Sequence, residues 1–144
     1  MMGFDVWSDG KHRDQYLEQC RSSTKYKRGK WYVLNTKDNE IESSLITYQL
    51  ASGTFGIGSI ATPPEFRHQG FATQLVQEIL SILTIEGAKV VYLFSDIKPE
   101  FYERHGFIRL PERFQNHKDS LCMAWGTPIE ELTQQPSFAP PAYF

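Results

Sequence analysis

The chain is poor in almost everything that marks a specialised environment. It has two cysteines, Cys20 and Cys122, among 144 residues. They stand far apart and in no Cys-x-x-Cys or Cys/His pattern, so neither structural zinc nor a disulfide is called for, and both read as reduced, buried thiols. The histidines His12, His68, His105 and His117 show no pair at metal-ligand spacing, and no metal is expected. Basic charge is not in excess: 15 Lys and Arg face 17 Asp and Glu, a formal net charge of −2. The densest basic cluster, residues 25–30, is short and reads as a solvated edge, so nucleic acid is not an expected partner. No apolar run approaches the roughly 20 residues that cross a bilayer. Residues 1–7 also lack the basic-then-apolar order of a secretory signal, so the expectation is a cytoplasmic protein without a membrane partner. There is no internal repeat.

Apolar and aromatic side chains, by contrast, are plentiful: 40% and 14% of the residues, enough for one core without metal or disulfide support. Residues 1–133 read as a single domain, followed by a proline- and aromatic-rich tail at 134–144. Residues 4–7 alternate enough for a first strand, and Ser8 and Asp9 suit the start of a helix carrying Tyr16, Leu17 and Cys20 that ends near Ser23. Residues 30–35 and 41–50 read as strands joined by a polar turn. Ile46 and Tyr48 lie on one face of the second strand, Leu45 and Thr47 on the other. After Ser52 and Gly53, residues 54–61 form a third strand, in which Gly56 and Gly58 mark a bulge or a close backbone approach.

Residues 59–72 run from that strand through the turn at Pro63 and Pro64 into a long apolar helix. Such a junction suits a diphosphate. The first N–H groups of a helix have no intrahelical partner, and the helix dipole favours an anion there by about 0.3–2 kcal/mol. Gly70, lacking Cβ, can take a positive φ and leave the amides around it uncovered, while Ala72 keeps the next inward position small. The helix over residues 73–86 places Val76, Ile79, Leu80 and Leu83 at i, i+3, i+4 and i+7, with Leu75, Ile82 and Ile85 widening the stripe, so it packs on a sheet and ends at Gly87. Residues 89–94 form a continuous apolar run, a strand buried on both faces that completes a parallel strand–helix–strand crossover. Pro99 presets a short helix that stops at Gly106. Residues 107–110 and 120–125 then read as an antiparallel pair, and Thr127 with Glu130 as a capping box.

From residue 47 to residue 110 the chain resembles the GNAT superfamily of acyl-CoA N-acyltransferases. The resemblance rests on Arg67, Gly70 and Ala72 in an Arg-x-x-Gly-x-Ala pattern, on the helix and strand that follow, and on residues 99–107. The first third and the tail resemble it by element order alone. The fold implied is mixed α/β (α+β): a mostly antiparallel sheet with one central parallel β-α-β crossover and helices on both faces. The co-substrate implied is acetyl-CoA, with no metal. The turn formed by Arg67, His68, Gln69, Gly70, Phe71, Ala72 and Thr73 resembles the one that wraps the diphosphate. The strand end at Ile60, Ala61 and Thr62 resembles the one whose backbone pairs with the amides of pantetheine, a form of strand addition. Arg67 is open to two readings: a phosphate contact, or an ion pair with Glu65 or Asp96.

Tyr102 stands four residues before Gly106, where the family's motif places a tyrosine. A phenol of pKa about 10 is protonated at neutral pH and can deliver a proton to a departing thiolate whose conjugate acid has a pKa of about 8.5, which makes Tyr102 the candidate general acid. Ser95 falls where many members carry an asparagine that bonds the cofactor, and it reaches less far. The acceptor amine must also lose a proton. A position that sometimes carries glutamate in the family lies in the apolar run at Val90, which leaves a water chain or Asp96 as the base.

The reading is an N-acetyltransferase that uses direct attack on a small-molecule or peptide amine. The alternatives are a catalytically silent acetyl-CoA sensor or scaffold, against which Tyr102 argues, and an aminoacyl-tRNA modifier, which would need a basic face. The acceptor side would be lined by the first helix, the loop before Lys30 and residues 112–119, where Glu112 and Asp119 could attract a cationic amine. The tail has three fates open to it: folding back, docking on a second subunit of a homodimer, or disorder.

Overall fold

The computed structural model describes residues 3–144. In chain order the helices and strands are α1 (Phe4–Trp7), α2 (Arg13–Ser22), α3 (Thr24–Arg28), β1 (Lys30–Asn35), β2 (Ile41–Ala51), β3 (Thr54–Ala61), α4 (Phe71–Ile85), β4 (Val90–Ser95), α5 (Glu100–Glu103), β5 (Ile108–Arg109), β6 (Leu121–Trp125) and α6 (Ile129–Thr133). The strands make one mixed sheet in the order β1-β2-β3-β4-β6-β5. β3 and β4 are its parallel pair, and β1–β2, β4–β6 and β5–β6 pair antiparallel. No described helix is long and apolar enough to cross a membrane.

Three local expectations are corrected. Residues 4–7 form a helical turn, not a strand: Gly3 takes φ 70°, and its carbonyl accepts from the N–H of Val6 (3.2 Å) and Trp7 (2.8 Å). Four residues are too few for periodicity to separate the two. Ser8 and Asp9 do not start α2. Asp9 and Gly10 have φ 50° and 74°, and the helix begins after His12, whose N–H donates to Gln15 Oε1 at 3.3 Å. The capping box at residue 127 does not form, because Thr127 Oγ1 donates to the Lys89 carbonyl at 2.9 Å and α6 follows Pro128 directly. The helix α3, unforeseen in the sequence, is capped by Ser23, whose Oγ accepts the Tyr26 N–H at 3.3 Å.

The chain divides into two compact units, Met1–Tyr48 with Ser59–Glu78 and Gln49–Gly58 with Ile79–Phe144. In the first, β1 and β2 pair from Lys30↔Thr47 to Leu34↔Ser43, with a shift before Asn35. Leu45 and Ile46 on opposite faces of β2 are both fully buried. In the second, β3 and β4 pair from Thr54↔Val90 to Ile57↔Leu93. The register then stops, and two residues later Ser59 takes φ 49°. Paired residues share a face, so Gly56, Tyr92 and Ala124 lie on one side, with Phe94 and Cys122 next along it. The apolar stripe of α4 is as expected at Leu75, Val76, Ile79, Leu80 and Leu83, all buried, whereas Ile85, expected to widen it, is 86% exposed in the last turn. Each such burial contributes about 1.5–3 kcal/mol. Gly87, at φ 87°, ends this helix as a C′ residue: Ala88 N–H returns to Leu83 O at 2.8 Å and Gly87 N–H to Thr84 O at 3.0 Å.

The tail folds back on the second unit. Phe144 is buried, and its ring sits where the Gly56 side chain would be: a Cβ on Gly56 would come 2.4 Å from Phe144 Cζ. The close approach announced by the interior glycine is therefore made by the chain's own aromatic ring. Phe94, His117, Tyr143 and Phe144 pack in tilted or edge-to-face pairs with centroids 4.9–5.4 Å apart, and Phe138 meets Phe114 at 4.8 Å. The loop at 112–119 is clamped as well. Gln115 Nε2 donates to the carbonyls of Leu110 (2.8 Å) and Cys122 (3.0 Å), and its Oε1 accepts the Cys122 N–H at 2.8 Å.

Candidate functional site

The turn ahead of α4 lies in the first unit and is built to hold a backbone conformation. Pro63 and Pro64 fix two φ angles, and a 3-10 turn follows over Pro64–Phe66, closed by Phe66 N–H on Pro63 O at 2.9 Å. The rings of Phe66 and Phe71 meet edge to face at 6.0 Å across the turn. Gln69 Nε2 donates back to the Glu65 carbonyl at 2.9 Å. His68 takes φ 61° and Gly70 φ 90°; a side chain other than glycine seldom accepts such an angle, so His68 marks strain held by its neighbours. Turns and helix starts are backbone settings whose N–H groups can bind anions. The first helical bond runs from Gln74 N–H to Gly70 O at 2.9 Å, so Phe71, Ala72 and Thr73 supply first-turn amides. Nothing lies within 4 Å of a Cβ built on Gly70, and His68, Gln69 and Gly70 are exposed.

Arg67 joins neither Glu65 nor Asp96. Its guanidinium pairs with Asp5, and its Nε donates to the Thr62 carbonyl at 3.0 Å. Upstream, Ser43 Oγ donates to the Ala61 carbonyl at 3.3 Å and shares a hydrogen bond with Thr62 Oγ1 at 3.1 Å. Of the three strand-end residues Ile60, Ala61 and Thr62, the last two thus have carbonyls already engaged by the protein.

The second unit carries Ser95 and Tyr102. Ser95 is buried at the end of β4, and its hydroxyl donates to the Ile97 carbonyl at 2.7 Å. Its one proton is used there, which leaves its lone pairs. Tyr102 is 7% exposed on α5, between the rings of Phe101 (5.0 Å) and Phe107 (6.1 Å). Burial and then the charge of Asp96 hold its phenol well above the ordinary value of 10. It therefore stays protonated at any physiological pH. Desolvation pushes the Cys122 thiol up to about 12, so this cysteine is a neutral core group and no nucleophile. Val90 is buried and apolar. Among the described residues, no group of three His, Cys, Asp or Glu side chains is placed to hold a metal. Beside α5 lies an open groove of about 680 Å³ lined by Lys98, Pro99, Glu100, Phe101, Arg104, Arg109 and Leu121. Arg109 is tied there to Glu103 (2.8 Å) and Glu100 (3.5 Å).

Residues 27–109 match the acetyltransferase (GNAT) domain family. The chain belongs to this family, and the protein is an acyltransferase. No curated protein matches the sequence. Among solved structures, the chain is similar to a GNAT family acetyltransferase from Elizabethkingia anophelis with acetyl-CoA bound, at 18% identity and TM-score 0.62 over 88% of each chain. It is also similar to an acetyltransferase from Bacillus subtilis in complex with CoA, at 18% identity and TM-score 0.62 over 88% of this chain and 90% of that one. Mutant forms of the spermidine/spermine N-acetyltransferase SpeG from Vibrio cholerae share the fold at 18% identity and TM-score 0.59, over 77% of this chain and 72% of that one.

Sequence reasoning missed Asp5, Ser43 and Ser59 as neighbours of the candidate residues. Asp5 lies 62 positions from Arg67, and no local pattern connects them. Gly56 and Gly58 marked this strand for a bulge, but the left-handed residue is Ser59 itself, which carries no such signal.

Proposed function

We propose that the protein transfers an acetyl group from acetyl-CoA to a primary amine by direct attack, in a ternary complex without an acyl-enzyme. The amides of residues 67–73 receive the diphosphate, with Arg67 exchanging Asp5 for phosphate. The backbone at Ile60, Ala61 and Thr62 receives pantetheine. Ser95 serves as an acceptor toward the cofactor, since its proton is committed to Ile97.

The amine nitrogen attacks the thioester carbonyl carbon, and the tetrahedral adduct breaks its C–S bond. A phenol held above its ordinary pKa transfers its proton to a thiolate uphill, so Tyr102 acts chiefly by a hydrogen bond to the departing sulfur. The final proton on the thiol comes from solvent through that phenol. The attacking nitrogen loses its proton to water or to Asp96. Cys122, neutral and buried, offers no competing covalent route.

The observation that carries this reading is the turn at residues 67–73, whose left-handed His68 and Gly70 lead into the first turn of α4, in a chain of the acetyltransferase family. The Vibrio cholerae relative, named for acetylating spermidine and spermine, supports an amine as the acceptor. The test is a panel of small-molecule and peptide amines incubated with acetyl-CoA, with free thiol and acetylated product both measured. Product from at least one amine class is expected. Cofactor binding by calorimetry with no turnover on any amine would replace the enzyme with a silent sensor.

A further inference from the structure

Residues 24–37 hold five of the chain's 15 Lys and Arg and none of its 17 Asp and Glu, and the proposed chemistry makes no use of them. They form α3 and β1, and β1 stands at the end of the sheet, paired with β2 alone. Residues 4–7 are helical, so among the described residues no strand covers the outer side of β1. An edge of this kind presents a row of N–H and C=O groups to a second strand. Trp31 and Val33 share one face of it at 45% and 48% exposure. Trp31 is fixed from α3: its Nε1 donates to the Tyr26 carbonyl at 3.2 Å, and its indole meets the Tyr26 ring edge-on at 5.3 Å. The two ends of β1 carry opposite charge. Ahead of it, Lys27 and Arg28 are exposed, with no carboxylate partner among the described residues. Beyond it, Thr36 pins a turn: its Oγ1 accepts the N–H groups of Asp38 and Glu40, both at 3.1 Å. That turn exposes the unpaired carboxylates of Asp38 and Glu40 beside Lys37. A six-residue strand holds these ends about 20 Å apart.

We infer that β1 is a self-complementary docking edge, through which two copies of this chain pair antiparallel about a two-fold axis at Tyr32. Residues directly opposite one another in an antiparallel pair share a face. With Tyr32 on the axis, each Trp31 therefore lies opposite the partner's Val33, and the two exposed apolar side chains cover each other twice. The same rotation carries the basic end of one copy to the acidic end of the other, so Lys27 and Arg28 come beside the partner's Asp38 and Glu40. Lys37 shares that turn and is outnumbered by its two carboxylates. A uniformly anionic partner, such as a nucleic acid or an acidic peptide, would satisfy Lys27 and Arg28 but be repelled at Asp38 and Glu40. The charge gradient along the edge thus favours a second copy. This surface is independent of the acetyltransferase reading.

The experiment is sedimentation velocity over about 1–500 μM protein, a range chosen because one strand and its flanks make an interface of the small, weak class. The unmodified chain should pass from monomer to dimer across it, and added salt should shift it back toward monomer. Val33→Lys should weaken dimerisation by about tenfold or more, by removing both Trp–Val pairs and blunting the edge. Two charge variants, Lys27→Glu/Arg28→Glu and Asp38→Lys/Glu40→Lys, alter exposed side chains alone and serve if the strand variant fails to fold. Each by itself should be monomeric, because like charges meet at both ends of the pair. Mixed in equal amounts they should dimerise again, one copy's acidic α3 meeting the other's basic turn. A monomer at every concentration would overturn the inference, and binding of an acidic test peptide to that monomer would give the edge to a different partner. A dimer that Val33→Lys and both charge variants leave unchanged would overturn it too, since the contact would then lie elsewhere.

Discussion

Residues 67–73 and residues 95–107 carry the two halves of the proposed chemistry in opposite surroundings. The first stretch is exposed and polar at His68, Gln69 and Gly70, with backbone angles that few side chains accept. The second buries Ser95, Tyr102 and Phe107 below 8% exposure. An anion is recognised by backbone amides, whose direction is set by φ and ψ, so that region spends its residues on fixing conformation and leaves the surface open. A proton donor is tuned by its medium, so the other region spends its residues on excluding water. If the proposed chemistry holds, the turn at 67–73 should be sensitive to backbone substitutions and the α5 region to side-chain chemistry.

The largest effect should come from the buried side. Tyr102→Phe removes one hydroxyl from an otherwise unchanged aromatic pack and should lower kcat by roughly 10²- to 10³-fold, as loss of a transition-state hydrogen-bond donor does, with CoA affinity by calorimetry nearly constant; full turnover would take the phenol out of the mechanism. Gly70→Val is its counterpart at the turn. A Cβ there meets no atom within 4 Å, so the fold should hold, but φ 90° is not open to valine. The amides should re-aim and CoA affinity drop by about 10²-fold, combining a lost anion site with released strain. An unchanged dissociation constant would break the comparison, because the turn would then bind nothing through its backbone.

A smaller effect is expected where the second unit is packed rather than chemical. Gly56→Ala drives a Cβ into the Phe144 ring and should cost about 1–3 kcal/mol in urea unfolding, as overpacking does. The tail should become accessible to protease, and a tail as resistant as before would show that Phe144 does not depend on that glycine. The smallest effect is with pH. Cys122 goes from an ordinary 9.0 to about 12 and Tyr92 from 10.0 to about 12 on folding. Their protonated forms favour the native state, fully so below the unfolded values. Stability should fall as pH rises past about 9, by up to about 1.4 kcal/mol per pH unit for each group. Cys122→Ala should flatten the first part of that decline in melting temperature between pH 8.5 and 10; an unaltered slope would mean the thiol is not desolvated.

Much of the fold was legible in the chain because its signals are local. The apolar spacing from Leu75 to Leu83, the run at Val90 to Phe94 and the glycine at 87 each follow from period or punctuation within one element. The expected strands at 30–35, 41–50 and 54–61 lie within a residue of β1, β2 and β3. Short elements failed for the same reason: four residues at Phe4 hold no period, and the cap expected at Thr127 lost to a carbonyl 38 positions away. At the candidate site, the turn around Gly70 and the tyrosine before Gly106 were named from motif and spacing, and the structure places Gly70 in a left-handed backbone ahead of α4 and Tyr102 in the core. Arg67 could not, since its partner was neither carboxylate proposed from sequence proximity or motif.

The sequence by itself determined the longer strands and the long helix before Gly87, and where the parallel crossover falls, because hydrophobic period and backbone permissiveness act over a few residues. The tertiary structure alone decided that Arg67 meets Asp5, that Phe144 fills the space over Gly56 and that Tyr102 is dry. Those outcomes depend on which surfaces close against each other, and burial, not residue type, sets both the proton affinity of a phenol and the partner of a charge.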